Sequence, residues 1–447
     1  MKTVIAVVVA IGLANPASAL DSDLIDARAF GAVGNGRTDD SAKITEALNA
    51  CRERHGGVVR LPATGSAYVI EAGLILPSGC SLEGSSGLAW PGPYNNTMSA
   101  WTNVGTWLYC KDRNNPCISI TGVGSFIRQL NVWYDQPTPK NGSACPGPCT
   151  YTHDWTPTAY PYTILVGGSA NFTTIEKITI VNATHCIDFE GPETGVAGIY
   201  TRMSDMFLGC FIRGTKFHRI DNTVYVSDLR YILWWYPASS DVLGFTEGDG
   251  NKIDWDLQYV ANIQGDGIEF SQSATAMLFT DDTVSSGFGR LLFAVNEMQL
   301  ANVSFNEVCQ ATALATGTTH VTGVLTNVIA YADTLTSTTN QCAGKNKNFF
   351  SLQSDNVDLT IDNLRGGHLE TVGIIGNGNF TAKLRLKGSV TVQKYSAFNF
   401  RDPAFVANGG TISVDDKLFS VTPNKDAGVI CKELPAQGAR GGCSLPR

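Results

Sequence analysis

The sequence predicts an all-β solenoid closed at its N-terminal end by one amphipathic helix. Three observations carry this reading. From residue 163 onward, short β-type runs such as "TIEKITIV", "NTVYVSDLRYILWW", "MQLANVSF" and "NVDLTIDNL" follow one another with only turns between them, the texture of strands rather than helices. Within that series Asp205, Asp228, Asp254, Asp281 and Asn302 occupy comparable places at intervals of 23, 26, 27 and 21 residues, one short polar position per repeat; a period of this size marks stacked coils. Charged residues make up only 16% of the 447-residue chain while Gly reaches 46, usage that favours strands and turns.

Residues 1–19 read as a secretory signal peptide, with Lys2, an apolar run from Val4 to Ala14 and Ala17-Ser18-Ala19 as the cleavage site. The run is too short for a membrane-spanning helix of about 20 residues, so the expectation is a secreted or periplasmic protein without membrane insertion. Residues 20–447 are then expected as one long domain, which all-β folds permit. Its first part, 26–87, holds the cap and the first coils. A helix is predicted from Ser41 to Arg54, with Ile44, Ala47, Leu48 and Cys51 at i, i+3, i+4 and i+7 facing inward. Asp39 or Asp40 is placed to cap it, and Gly56-Gly57 stops it.

Residues 88–162 turn to Pro, Gly, Trp and Tyr and are predicted as long loops interrupted by one strand-like piece, "SFIRQLNVWY". Residues 163–430 supply the central and C-terminal coils, and 431–447 a tail. Twelve cysteines, an even number in an exported chain, predict disulfides. Cys110/Cys117, Cys145/Cys149 and Cys431/Cys443 are close enough for local staples, and Cys145 and Cys149 with His153 read as a disulfide loop rather than a zinc site. A formal charge of -8 without a basic run argues against a nucleic-acid partner.

The segment "FGAVGNGRTDDSAKITEALNAC", followed by "GGVVRLPATGSAYVI" and "LILPSGCSLEG", resembles the N-terminal segment of the pectate-lyase superfamily over residues 26–84. That resemblance implies a right-handed, single-stranded parallel β-helix and activity on polysaccharides, as in pectate lyases, polygalacturonases, epimerases and tailspike depolymerases. The matched motif is architectural. Asp39-Asp40 is therefore read as capping and turn chemistry, and the absence of a Gly-Lys-Ser/Thr ending excludes a phosphate loop. Of the motifs that polygalacturonases carry, only Asp281-Asp282 is matched here; "RGGHLE" around His368 is out of pattern. The calcium-binding acids and arginine motif of pectate lyases are not located either.

The polar centre of the chain, residues 216–290, supplies the candidates for chemistry. Hydrolysis needs two carboxylates about 5–5.5 Å apart for retention, or about 6.5–9.5 Å apart for inversion. Acids at i and i+2 of one strand, or stacked on adjacent coils, fall near such distances. Asp254 and Asp256 fit the first case, and Asp254 with Asp281 or Asp282 the second. Asp266 and Glu269 in "GDGIEF" are further candidates, on an expected exposed turn. Asp205 and Asp228 read instead as rungs of a turn ladder. Trp234, Trp235 and Tyr236 offer flat faces for sugar rings, and Arg230, Lys252 and Arg290 offer cations for substrate binding. For a uronate lyase or C5-epimerase, Lys216, His218 and Arg219 add a local base and cations.

The expected function is thus an exported enzyme that cleaves a polysaccharide partner with paired carboxylates. Elimination or epimerisation of a uronate polymer, and a non-catalytic glycan-binding solenoid, are the alternatives. No metal site or cofactor is expected, with calcium reserved for the lyase case; monomer and homotrimer are both open.

Overall fold

The computed structural model describes residues 23–87, 104–136, 158–167, 170–190, 200–232, 252–271, 275–280, 295–306, 311–314, 320–331, 350–352, 357–367, 373–375, 383–393, 405–407 and 411–414, and for parts of the later strands the backbone alone. One helix, α1 (Ser41–Glu53), accompanies a series of strands: β1 (Leu24–Asp26), β2 (Gly57–Arg60), β3 (Ala67–Ile70), β4 (Leu74–Leu76), β5 (Cys80–Glu83), β6 (Thr106–Cys110), β7 (Ile118–Ile120), β8 (Phe126–Trp133), β9 (Tyr162–Val166), β10 (Thr174–Glu190), β11 (Thr201–Ile232), β12 (Lys252–Ser271), β13 (Thr275–Thr280), β14 (Val295–Asn306), β15 (Ala311–Leu314), β16 (His320–Tyr331), β17 (Phe350–Leu352), β18 (Val357–Gly367), β19 (Gly373–Ile375), β20 (Lys383–Gln393), β21 (Phe405–Ala407) and β22 (Thr411–Val414). The pairings between them are parallel, each strand bonding to the next coil in one continuous stack. The fold is the right-handed parallel β-helix that the N-terminal resemblance implied.

Each coil has three sides. In β10, Thr174–Glu176 form the first side, residues from Ile178 the second, and residues from His185 the third, in register with Arg202–Ser204, Met206–Leu208 and Arg213–His218 of β11. A residue of left-handed conformation makes the bend between the first and second sides. Gln129, Lys177, Asp205, Asp228, Gly267, Asn302, Asn327 and Asn363 all have φ between 51° and 68°. The flanking registers align Gln129 with Lys177 and Asp205, and Asp228 with Gly267, Asn302, Asn327 and Asn363, and the Arg230 guanidinium over the Phe207 ring joins the two runs into one column. Gly, Asn and Asp tolerate this conformation best, which explains the composition of the column's later rungs.

This column revises the expected repeat. Asp205, Asp228 and Asn302 belong to it. Asp254 does not: it stands in register with Met277 on a different side of the coil, and Asp281 lies outside the described residues. Successive rungs from Asp205 are 23, 39, 35, 25 and 36 residues apart, because connections of different length join the sides while the sides and the bend between them stay in register.

Inside the coils, one continuous core runs from Ile25 to Leu364. Rings stack on one another from coil to coil, Phe189 on Phe217 at 4.9 Å and Tyr231 on Phe270 on Phe305 at 5.3 and 5.4 Å. The region expected to be mostly loop contributes three strands, β6, β7 and β8, rather than one. Trp107, Leu108, Ile118 and Ile120 are fully buried in them, and their three- to five-residue runs are too short to show a period in the sequence.

At the N-terminal end α1 lays Ile44, Ala47, Leu48 and Cys51 onto the first coil, all buried. It covers apolar ends and strand edges that would otherwise face water. Its two preceding aspartates divide the work. Asp39 Oδ1 accepts from Ser41 N at 3.0 Å and Ser41 Oγ at 2.5 Å. The buried Asp40 carboxylate instead accepts from Val33 N at 2.6 Å and Gly34 N at 3.1 Å, tying the glycine turn to the helix start. Disulfides join Cys51 to Cys80, Cys110 to Cys117 and Cys186 to Cys210. Cys110–Cys117 is one of the staples expected from spacing; Cys145/Cys149 and Cys431/Cys443 lie outside the described residues. No helix among the described residues is long and apolar enough to cross a membrane.

Candidate functional site

The third side of the coils changes character along the axis. One row runs through Ile75, Ser119, Leu165, Asp188, Lys216 and Asp256, each in register with the next. The row is apolar or neutral over β4, β7 and β9 and charged over β10, β11 and β12. Strand alternation explains the outward placement at β10 and β11: Ile187, Phe189 and Phe217 are buried in the core, so the residues between them face the other way. Lys216 Nζ lies 3.5 Å from Asp188 Oδ2, with the side chains 21% and 8% exposed. Shelter from water strengthens the Coulombic attraction within such a pair and also costs the desolvation of both groups. A second row two residues along places Glu190, His218 and Gln258 in register. Acid, cation and acid thus stand on three successive coils, beside acid, histidine and amide.

The expected site residues divide between sides. Asp254 and Asp256 belong to the part of β12 on the third side, as does Lys252, which is in register with Thr275. Asp266 and Glu269 lie further along the same strand, on the first and second sides, separated by the bend at Gly267 with φ 68°. Because that bend is convex toward solvent, residues on its two flanks diverge. Asp266 is exposed and accepts from Asn302 Nδ2 at 2.6 Å; Asn302 Oδ1 accepts from Asn327 at 3.1 Å, and Asn327 Oδ1 from Asn363 at 3.3 Å. Asp266 therefore ends a ladder of amides along the bend. Glu269 is paired with Arg230, Oε2 to Nε 3.7 Å, and the Arg230 guanidinium sits 5.4 Å from the Phe207 ring centre. Sequence reasoning chose both partners of that pair for different roles, and register brings them together.

Trp234, Trp235, Tyr236, Asp281, Asp282 and Arg290 lie outside the described residues. Of Lys252, Asp254 and Asp256 the backbone position is what the structure describes. Among the described residues no group of three or more His, Cys, Asp or Glu side chains is gathered as a metal ion requires.

Asp188 and Glu190 were missed by sequence reasoning. The signal was present as three short segments of one pattern, "DFE" at 188–190, "KFH" at 216–218 and "DLQ" at 256–258, polar residues flanking one apolar residue. Their spacings of 28 and 40 residues hid it from a search for a constant period.

No family model matches the chain, and no curated protein matches it. Among solved structures, the Dettilon tailspike protein aligns over 90% of this chain and 68% of its own at 11% identity, with a TM-score of 0.52. An α-1,3-glucanase catalytic unit from Streptomyces thermodiastaticus aligns over 90% and 69% at 11% identity with a TM-score of 0.48. The surface adhesin PfbA of Streptococcus pneumoniae aligns over 87% and 93% at 12% identity with a TM-score of 0.45. The tailspike alignment supports the shared β-helix fold.

Proposed function

We infer that the protein is an exported polysaccharide-degrading enzyme whose catalytic face is the third side of the coils at β10, β11 and β12. The observation that carries this reading is the Asp188, Lys216, Asp256 row. Two strand spacings put the backbones of Asp188 and Asp256 about 9.6 Å apart, close to the upper limit of the carboxyl separation for inverting hydrolysis, about 6.5–9.5 Å, and well beyond the 5–5.5 Å of a covalent glycosyl mechanism. Asp188, held by Lys216, serves as the carboxylate that activates water. Asp256 protonates the leaving oxygen, with Asp254 two residues upstream on the same strand as the other candidate acid. Asp266 and Glu269 act elsewhere, in the bend and in the Arg230 pair.

Asp188→Asn and Asp256→Asn are expected each to lower cleavage of a polysaccharide that the parent degrades by a hundredfold or more, the order that general acid–base groups contribute, ~10²–10⁴. The product should carry inverted anomeric configuration by NMR. Unchanged rates in both variants would sink the assignment.

A second reading rests on His218 standing in register between Glu190 and Gln258 beside Lys216: a base next to a cation suits proton removal beside a uronate carboxylate. Lys216 is already paired with Asp188, which favours hydrolysis. Products absorbing in the near ultraviolet would instead identify elimination.

A further inference from the structure

The corner where the third side of one coil turns into the first side of the next carries two aromatic rings that the catalytic reading leaves unused. Thr174 is in register with Phe126 and with Arg202, which aligns Gly124, Phe172 and Tyr200 two residues upstream. Gly79 joins the same column, its N–H donating to Val123 O. All four are left-handed, with φ of 70° at Gly79, 73° at Gly124, 56° at Phe172 and 56° at Tyr200. Glycine adopts this conformation without penalty, whereas a bulky L-residue there is strained. The fold itself is satisfied by glycine at this corner, as its first two rungs show.

Burial does not repay the strain. Phe172 is 55% exposed and Tyr200 50% exposed. What the two rings do is stack, with centroids 5.5 Å apart and planes within 18° of parallel. Backbone strain beneath exposed side chains points to use by a ligand, and parallel aromatic faces on a surface match the apolar C–H faces of pyranose rings. Hydrogen-bonding groups flank the stack on the first side: Arg202 is exposed two residues after Tyr200. Tyr225, 43% exposed, stands three residues before its bend at Asp228 as Arg202 does before Asp205. The coil that bears Asp188 leads into the Tyr200 corner, so a glycan lying along the third side meets these rings as it crosses to the first.

We propose that Phe172 and Tyr200 form a stacking platform for the pyranose rings of a polysaccharide chain, with Arg202 and Tyr225 bonding to sugar hydroxyls beside it. The proposal rests on the polysaccharide reading of the third side and extends the substrate contact beyond it.

The test uses the full mature chain carrying Asp256→Asn, so that the probe stays intact, in native gels containing polygalacturonate, alginate or carboxymethylated α-1,3-glucan. Retardation by at least one polymer is expected. Adding Phe172→Gly with Tyr200→Gly should weaken it about tenfold, the factor that about 1.4 kcal/mol represents, without lowering the melting temperature, because glycine suits the backbone there. Should the glycine pair melt early, Phe172→Asn with Tyr200→Asn tests the same point, asparagine being tolerant of this conformation.

Equal retardation of the folded variants, or none of the parent by any of the three polymers, would overturn the platform; the first result would leave the stack as a rung that holds coils together. The catalytic reading fails separately. If Asp188→Asn and Asp256→Asn keep cleaving while the aromatic variants lose retardation, the platform stands and the acid assignment falls.

Discussion

Asp39 and Asp112 show how short backbone contacts set the behaviour of a single carboxylate. Burial pushes Asp39 upward, but the hydroxyl and N–H of Ser41 and the N–H of Glu71 outweigh it, and the group is held below its ordinary value of 3.8. Asp112 is lowered in the same way, burial being outweighed by the Asn114 N–H, the Asn115 side chain and N–H, and the Gly73 N–H. Asp26 is lowered chiefly by the Arg28 side chain bonded to it. Carboxyls depressed in the folded state add stability that is complete above their unfolded value and disappears as pH falls through the folded one. The N-terminal coils are therefore expected to loosen in acid, from about pH 4 downward. An acid titration followed by circular dichroism should show the midpoint moving up, toward neutrality, in Asp39→Ala and Asp112→Ala at low pH, together with a loss of stability at neutral pH; a midpoint that does not move would contradict the roles of these bonds.

At the level of elements, the left-handed bend is what makes a coil. Asn327 illustrates it, with φ 53° and side-chain amide bonds to Asn302 and Asn363 on the neighbouring coils. Asn327→Gly keeps the backbone and loses only the exposed amide bonds, so its cost is expected to stay under about 1 kcal/mol. Asn327→Val loses the same bonds and adds the strain of a β-branched residue in this conformation, a further 1–2 kcal/mol or so. Thermal denaturation of the two proteins measures the difference directly. Equal melting temperatures would mean that the bend is held by its neighbours and not by the residue that occupies it.

At the level of the whole molecule, stacked coils contact only their neighbours, so each end needs closure. α1 provides it at one end through Ile44, Ala47, Leu48 and Cys51, and the Cys51–Cys80 disulfide fastens the helix to β5. Leu48→Asp puts a charge into that contact, where Leu48 is 1% exposed. Release of the helix would bare the edges of β1 and β2, and the variant is expected to form soluble oligomers or aggregates by strand addition. Light scattering after size exclusion would detect them. A variant that elutes with the parent and melts at the same temperature would show that α1 is not the closure.

The sequence by itself determined the solenoid and its helical cap, and offered Cys110/Cys117 as one of three local staples, because these rest on local relations: the i, i+3, i+4, i+7 stripe of α1, the short strand runs, and Cys110 within seven residues of Cys117. It also pointed to β12 as a carrier of acids. Which of those acids share a side was decided by tertiary structure alone. Coils of 23 to 39 residues break any fixed period, and a single bend at Gly267 sends Asp266 and Glu269, three residues apart on one strand, to different sides of the coil. The same register sets Asp188 beside Lys216 and Glu269 beside Arg230 across 28 and 39 residues of chain. Lateral hydrogen bonding between coils, which no local pattern encodes, is the physical agent that assembles the site.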